Sequence, residues 1–340
     1  MLLLTDTNKL LKGDLKIMED NEKKTEKGLG MLESLYATTI NGVQPLSKPV
    51  EEFATEYLEK YGSNKEKAIQ DLVKNQIIKL STTGFVTGLG GLITLPVSIP
   101  ADMASSYYVQ LRMIAAIAYI CGNDIESDSV KTLSYTTLVG AKISDILKQT
   151  GIKVSAKMAK KALEKLPGKI FIKINQKLGF RFITKAGTKG VVNLTKVIPV
   201  IPGLVSAAWN AVETKLIAER AKNAFLIAPE SSDCTEYSYT VSDDVATTPE
   251  QEKLSDEENL AKAVIGTAVA LQEAGHKKPE DCAEYLADIS LADFVANIEK
   301  GNELFQKFLD KSAELDNEFN ENQKNDEKLS ADMWNAIDNI

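Results

Sequence analysis

The sequence predicts an all-α protein, on two observations. Apolar residues recur at intervals of three and four along most of the 340-residue chain, which is the spacing of a helix face that packs on a core. Two apolar segments, 80–101 and 190–208, are interrupted by glycine and proline, which break helices. We therefore expect a multi-helix bundle with two glycine/proline-interrupted apolar hairpins and a small acidic helical C-terminal appendage.

The first elements follow from the order of apolar residues and helix caps. Residues 1–48 are charged and polar with no sustained apolar stripe, so we interpret them as an N-terminal extension of short helices or disorder. A helix begins at Val50 and ends at Gly62. Asn64 can cap the next helix, in which apolar residues recur at helical spacing as far as Leu80.

The segment 80–101 contains 22 uncharged residues, among them four glycines and two prolines. A membrane span needs an uninterrupted helix to satisfy its backbone hydrogen bonds, so we expect no simple span here. A helix then begins near Pro100 and ends at Cys121, with Gly122 as its C-terminal cap. Another helix is expected over about 127–150.

Basic residues then recur at every fourth position. Because four residues advance a helix by slightly more than one turn, these side chains share a face. Pro167-Gly168 interrupts the pattern, so we expect two basic amphipathic helices. We call this series the basic ladder, and it consists of Lys153, Lys157, Lys161, Lys165, Lys169, Lys173, Lys177, Arg181, Lys185 and Lys189.

The charge is distributed very unevenly along the chain, which the net charge of −8 does not show. Residues 142–196 carry 14 Lys/Arg and two acidic residues, a net of +12, whereas residues 228–340 carry 27 Asp/Glu and nine Lys, a net of −18. We predict a helical core at 49–227, an acidic linker at 228–253 and an acidic helical region at 254–340. Ser255 to Glu258 has the pattern of a capping box that starts a helix.

Several kinds of site are disfavoured by the sequence. Cys121, Cys234 and Cys282 are scattered and have no metal-ligand spacing, and with no signal-peptide core they favour a cytoplasmic protein. The single histidine, His276, lies in a polar turn. Gly88-Leu-Gly90-Gly91 lacks the rest of a nucleotide-binding fingerprint. We expect no metal and no cofactor, and no catalytic residue is assigned.

Asp102, Gln110 and Arg112 are polar residues within an otherwise apolar helix, and they are the candidate ligand-binding residues. At 100° per residue, Gln110 and Arg112 flank the line of Asp102 on opposite sides. A structural role is the competing interpretation, with Asp102 at the helix N-terminus and Arg112 paired with another element, because an unpaired buried arginine is costly.

The order of motifs along the chain is a glycine-rich apolar segment, the Pro100-Ala-Asp102 helix start, the Gln110-Leu-Arg112 triplet, and a second apolar segment and helix at 196–225. In this order the chain resembles the EcsC family of bacterial proteins. In the segment 196–225 Gly203 is followed by leucine, where the family has alanine. The resemblance covers about 50–225 and implies a helical fold and a membrane-proximal setting, but no reaction.

We expect a non-enzymatic cytoplasmic protein that associates peripherally with a membrane, or with a membrane complex, through its basic face and apolar hairpins. The candidate membrane-binding or anion-binding residues are Lys157, Lys161, Lys165, Lys169, Lys173, Lys177 and Arg181. Anionic lipids are the expected partner, nucleic acid is not, and the oligomeric state stays open. One alternative is a hydrolase-like enzyme or ligand binder using Asp102 and Arg112. Another is an interaction scaffold for a transporter or a defence or toxin system, and a fully solvated basic face also stays open.

Overall fold

The computed structural model describes residues 23–45, 47–82, 101–149, 166–187, 200–226, 248–307 and 309–310. These residues form helices and turns, with no strand and one isolated bridge between Val43 and Ser47. The all-α prediction is therefore confirmed. The helices are α1 (23–41), α2 (Val50–Lys60), α3 (Lys65–Ser81), α4 (Ala101–Ile120), α5 (Asp128–Val139), α6 (Ile143–Gln149), α7 (Gly168–Gly187), α8 (Pro202–Phe225), α9 (Pro249–Lys253), α10 (Glu257–Glu273), α11 (Ala283–Asp288), α12 (Leu291–Ala296) and α13 (298–307).

Several helix ends lie where their capping residues predict. The Asn64 side chain accepts a hydrogen bond from the backbone N–H of Lys67 at 3.1 Å, and Gly122 follows α4 with a left-handed φ of 89°. The helix expected over 127–150 is instead two helices, because Gly140 adopts a φ of 69° and ends α5. The capping box at Ser255 is also a wrong prediction, since Asp256 caps α10 by accepting from the backbone N–H of Asn259.

The first hydrophobic core lies among α1 to α7 and the C-terminal half of α8. Helix α4 is its centre, since every residue from Ala104 to Ala118 is buried. The N-terminal segment contributes more apolar side chains to this core than its charged sequence indicates. Leu32 and Leu35 of α1 are fully buried in this core, together with Met31 and Tyr36.

Helices α1 and α7 cross with almost no space between their backbones. A Cβ atom added at Gly28 would lie 2.1 Å from the carbonyl oxygen of Gly179, and one added at Gly179 would lie 2.4 Å from the backbone nitrogen of Leu29. Such separations are far below van der Waals contact. Helix α7 can therefore pack this closely against α1 only because both positions are glycine.

The second core joins the N-terminal half of α8 to α10, α11, α12 and α13. The end of the segment predicted as an acidic linker forms α9, in which Gln251 is buried. Leu254, the first residue of the predicted C-terminal region, is fully buried in this core. Helices α10 and α13 cross closely at Gly266 and Gly301. Since α3 and α8 contribute residues to both cores, the acidic C-terminal helices are packed onto the same framework as the first core.

The apolar hairpins lie mainly outside the described residues. Residues 83–100 of the first hairpin and residues 190–199 of the second fall there, and in the remaining part of the second hairpin Val200 is buried. Pro202 and Gly203 form the first turn of α8. Among the described helices, none combines the length and apolar character that crossing a bilayer would require.

Candidate functional site

Helix α7 carries the described part of the basic ladder and is anchored firmly by its opposite face. The buried residues repeat at three- and four-residue intervals, as packing on a core requires, and the Asn175 side chain accepts a hydrogen bond from the Thr132 hydroxyl of α5 at 2.9 Å. The orientation of the helix is therefore fixed by packing and by a buried polar contact. Its buried face comprises Phe171, Ile174, Asn175, Leu178, Gly179 and Phe182.

The outward face of α7 begins with Lys169, Ile172 and Lys173, which are all exposed. Ile172 is 55% exposed and is the most exposed large apolar side chain among the described residues. Lys177 and Arg181 continue the ladder one and two turns later, at intermediate burial. We call Lys169, Ile172, Lys173, Lys177 and Arg181 the α7 outer face. Lys157, Lys161 and Lys165 lie outside the described residues.

Arg112 is buried and is held by an aromatic ring and a carbonyl group. Its Cζ lies 4.4 Å from the centroid of the Phe53 ring, and its Nη1 donates to the backbone oxygen of Thr39 at 3.4 Å. Burial lowers the pKa of Arg112. The ammonium group of Lys79 lies 5.6 Å from the same ring centroid, and burial, aided by the charge of Arg112, lowers the pKa of Lys79.

Gln110 and Arg112 face different parts of the bundle. Gln110 donates from Nε2 to the Glu213 carboxylate of α8 at 3.3 Å, within the buried interior. Arg112 instead faces α1 and α2, as the 200° between positions 110 and 112 requires. The side chain of Asp102 lies outside the described part of the chain. The structure therefore does not bring Gln110 and Arg112 into a common pocket.

A cleft that the sequence did not indicate lies where both cores meet. Its volume is about 970 Å³, and its walls come from α3, α8, α9, α11 and α12. Ion pairs cross or border it, with the Lys74 ammonium 2.7 Å from the Asp288 carboxylate and Lys222 paired with Glu219. Because residues from five helices form it, no local sequence pattern marks the cleft.

Lys215 is the most perturbed basic group in this cleft. Its Nζ donates to the backbone oxygen of Ala287 at 2.7 Å. Burial lowers the pKa of Lys215 to about 8, although the charges of Asp288 and Glu219 oppose the shift. Removing an ammonium group from water disfavours its charged form. The sequence around position 215 does not predict the lowered pKa of Lys215, because the group that its ammonium contacts, the Ala287 oxygen, lies on another helix.

The remaining candidate residues form no site among the described part of the chain. No group of three or more His, Cys, Asp or Glu side chains there has the arrangement of a metal centre. Cys121 and Cys282 are free thiols, and burial raises the pKa of Cys282 to about 11, which makes it a poor nucleophile at neutral pH. Cys234 lies outside the described residues.

Comparison with family models, with curated proteins and with solved structures found no match to this chain. The resemblance to the EcsC family therefore stays a prediction from the sequence.

Proposed function

We propose that this protein associates peripherally with anionic membrane surfaces through the α7 outer face, in keeping with the membrane-proximal setting that its resemblance to the EcsC family implies. The single observation that carries the proposal is the exposure of Ile172 between Lys169 and Lys173 on a helix that is packed on its other side. Apolar and basic side chains on one helix face are the combination that interfacial helices use.

The packing of α7 supports this role because it leaves one face available. The Gly28–Gly179 crossing and the Asn175–Thr132 hydrogen bond fix which side of the helix is buried. Rigid presentation lowers the entropy cost of binding, since the helix need not fold or reorient at the surface. Lys169 and Lys173 can then approach phosphate groups while Ile172 enters the headgroup boundary.

The individual side chains are expected to make modest, additive contributions to the free energy of membrane binding. Each basic residue near an anionic leaflet contributes roughly 1 kcal/mol, and burying the exposed part of an isoleucine contributes about 1 kcal/mol. Two lysines and Ile172 therefore supply about 3 kcal/mol, which corresponds to a factor of roughly 150 in binding. Lys157, Lys161 and Lys165 are expected to add to this attraction as part of the same ladder.

The test is flotation of the full-length protein with vesicles of phosphatidylcholine alone or mixed with phosphatidylserine. We expect binding that requires the anionic lipid and weakens between low and high salt, because salt screens exposed charges. The double variant Lys169→Gln/Lys173→Gln should bind about 30-fold more weakly, from two losses of about 1 kcal/mol each. Ile172→Ser should bind about fivefold more weakly at every salt concentration.

Matched controls are available on other surfaces. Lys277 and Lys278 are exposed in the turn after α10, so Lys277→Gln/Lys278→Gln makes the same change in net charge. Tyr285, 54% exposed, is the control for Ile172 as Tyr285→Ser. If the two charge variants weaken flotation equally, net charge and not the α7 outer face governs binding. Absence of flotation at any salt would refute the proposal and favour a solvated face or a protein partner.

The two alternative functions have less support in the described residues. A hydrolase-like site or ligand pocket that uses Asp102 with Arg112 requires Arg112 to reach an open cavity, whereas it is packed against Phe53 and Thr39. An interaction scaffold would use the same exposed face, and pull-down with a membrane extract depleted of lipid would separate it from lipid binding.

A further inference from the structure

The cleft between the two cores contains an amine in an unusual setting. Lys215 of α8 is half-buried, and its ammonium group donates to the backbone oxygen of Ala287 in α11, another residue that lines the cleft. Most surface lysines are strongly hydrated and positively charged at neutral pH. Lys215 instead lies at a polar cavity, where its partial burial disfavours the charged form relative to that of a surface lysine.

We propose that Lys215 is a carbonyl-reactive amine, and that the cleft binds a small aldehyde or ketone that also carries an acidic group. This inference is independent of the proposed membrane association. The partly buried amine of Lys215 provides the nucleophile, since a desolvated lysine is the usual amine that forms a Schiff base. The cleft, of about 970 Å³, is large enough for a small ligand.

The reaction needs no additional reagent. The neutral nitrogen of Lys215 forms a bond to the carbonyl carbon, and a proton passes from nitrogen to the former carbonyl oxygen to give a carbinolamine. Protonation of that hydroxyl allows it to leave as water while the carbon–nitrogen double bond forms. Glu219 and Asp288, whose charges act on Lys215, are the nearby carboxylates that can carry these protons.

The expected acidic group on the ligand follows from the other lysines of the cleft. Lys67 lines the same cavity and is exposed, and it forms no ion pair with the residues that the structure describes. Lys74 and Lys222 are paired with Asp288 and Glu219. A carboxylate or phosphate on the ligand would therefore find Lys67 as its counter-ion without breaking an existing pair.

The charges around Lys215 determine how its reactivity depends on pH. Those that act on it most directly are Asp288 in α11, Asp293 in α12, and Glu219 and Lys222 in α8. The facing walls add Lys67, Asp71 and Lys74 of α3 and Glu250 of α9. With a pKa of about 8, the neutral fraction at pH 7 is about 200-fold larger than for an ordinary lysine of pKa near 10.4. Because a less basic amine is also a weaker nucleophile, we expect a net rate advantage of at least about tenfold.

The test uses pyridoxal 5′-phosphate as the probe, because it combines an aldehyde with a phosphate. The full-length protein is incubated with a substoichiometric amount, the imine is reduced with sodium borohydride, and the labelled lysine is located by peptide mass mapping. We expect the first label on Lys215, at least about tenfold faster than on exposed lysines, with a rate that rises around pH 8. Pyridoxal, which lacks the phosphate, should label Lys215 severalfold more slowly.

Two variants distinguish reactivity from structure. Lys215→Arg keeps a charged donor for Ala287 but cannot form an imine, so it should lose the rapid label while its circular dichroism is unchanged. Lys222→Arg alters the same cleft and should retain the label. Labelling spread over exposed lysines with a midpoint near pH 10.5 would overturn the proposal. Equal rates for pyridoxal and its phosphate would overturn the acidic-ligand part of it.

Discussion

Alanine substitutions at the crossing of α1 and α7 give the most direct test of the fold. In Gly28→Ala the new methyl carbon would meet the Gly179 carbonyl oxygen at 2.1 Å and the Gly179 carbonyl carbon at 2.4 Å. Carbon contacts are favourable only near 3.5–4.0 Å, so the helices must separate by more than about 1 Å. The obstacle is backbone, which cannot move aside as a flexible side chain can.

The magnitude follows from two opposing effects. Overpacking of a core costs about 1–3 kcal/mol, and the upper part of that range applies because both backbones must move. Alanine regains about 1 kcal/mol of helix propensity relative to glycine. The net expected loss of unfolding free energy is therefore about 1–2 kcal/mol for Gly28→Ala, and a similar loss is expected for Gly179→Ala, whose methyl carbon would lie 2.4 Å from the Leu29 nitrogen.

Gly30 supplies a control within the same helix. It lies two residues from Gly28, and nothing is within 4 Å of a Cβ added there. Gly30→Ala should therefore stabilise the protein by about 0.5–1 kcal/mol through helix propensity alone. Urea unfolding monitored by far-ultraviolet circular dichroism gives the comparison through the midpoints. Equal midpoints for Gly28→Ala and Gly30→Ala would refute the close crossing.

Further substitutions test individual buried polar groups. The rings of Tyr36 and Tyr135 contact each other edge to face, with 5.6 Å between their centroids, and burial raises the pKa of both phenols. The Tyr36 hydroxyl donates a hydrogen bond to the Ile125 oxygen at 2.7 Å. The Tyr135 hydroxyl has no hydrogen-bond partner within the described residues. Tyr36→Phe should therefore lower the unfolding free energy by about 1 kcal/mol and Tyr135→Phe should leave it unchanged or raise it, and the opposite order in urea midpoints would contradict this assignment. For Arg112, a double-mutant cycle of Arg112→Met with Phe53→Leu should give a coupling of about 1 kcal/mol from the cation–π contact, and additive effects would show that the stacking contributes nothing.

Sequence patterns predicted the local structure of α7 well. The break at Pro167-Gly168 and the basic ladder predict a basic amphipathic helix, and α7 begins at Gly168. Its apolar residues Phe171, Ile174, Leu178 and Phe182 are buried, whereas Ile170 is only partly buried. Periodicity could not show that Ile172 is exposed on the basic side. It also gave no sign that Gly179 meets another backbone, because that depends on a partner about 150 residues away.

The candidate site was predicted less completely. Asp102, Gln110 and Arg112 were predicted as candidate ligand-binding residues, with a buried and paired Arg112 as the competing interpretation. Gln110 and Arg112 are both buried. Their partners, Glu213 and the Thr39 oxygen with the Phe53 ring, could not be read from the sequence because they lie on other helices. The Lys215 cleft was missed altogether, since a lysine at position 215 looks like any other charged residue on a helix.

Properties that depend only on neighbouring residues could be predicted from the sequence. Asn64 and Gly122 mark helix ends because caps act within one turn, and the basic ladder shows its face because helical geometry is fixed. Tertiary structure alone decided that α1 belongs to the core, that Gly28 meets Gly179, and that Lys215 lies in a cleft walled by Ala287. These depend on the packing of helices distant in sequence, where burial and close approach are properties of the assembled bundle and not of any single segment.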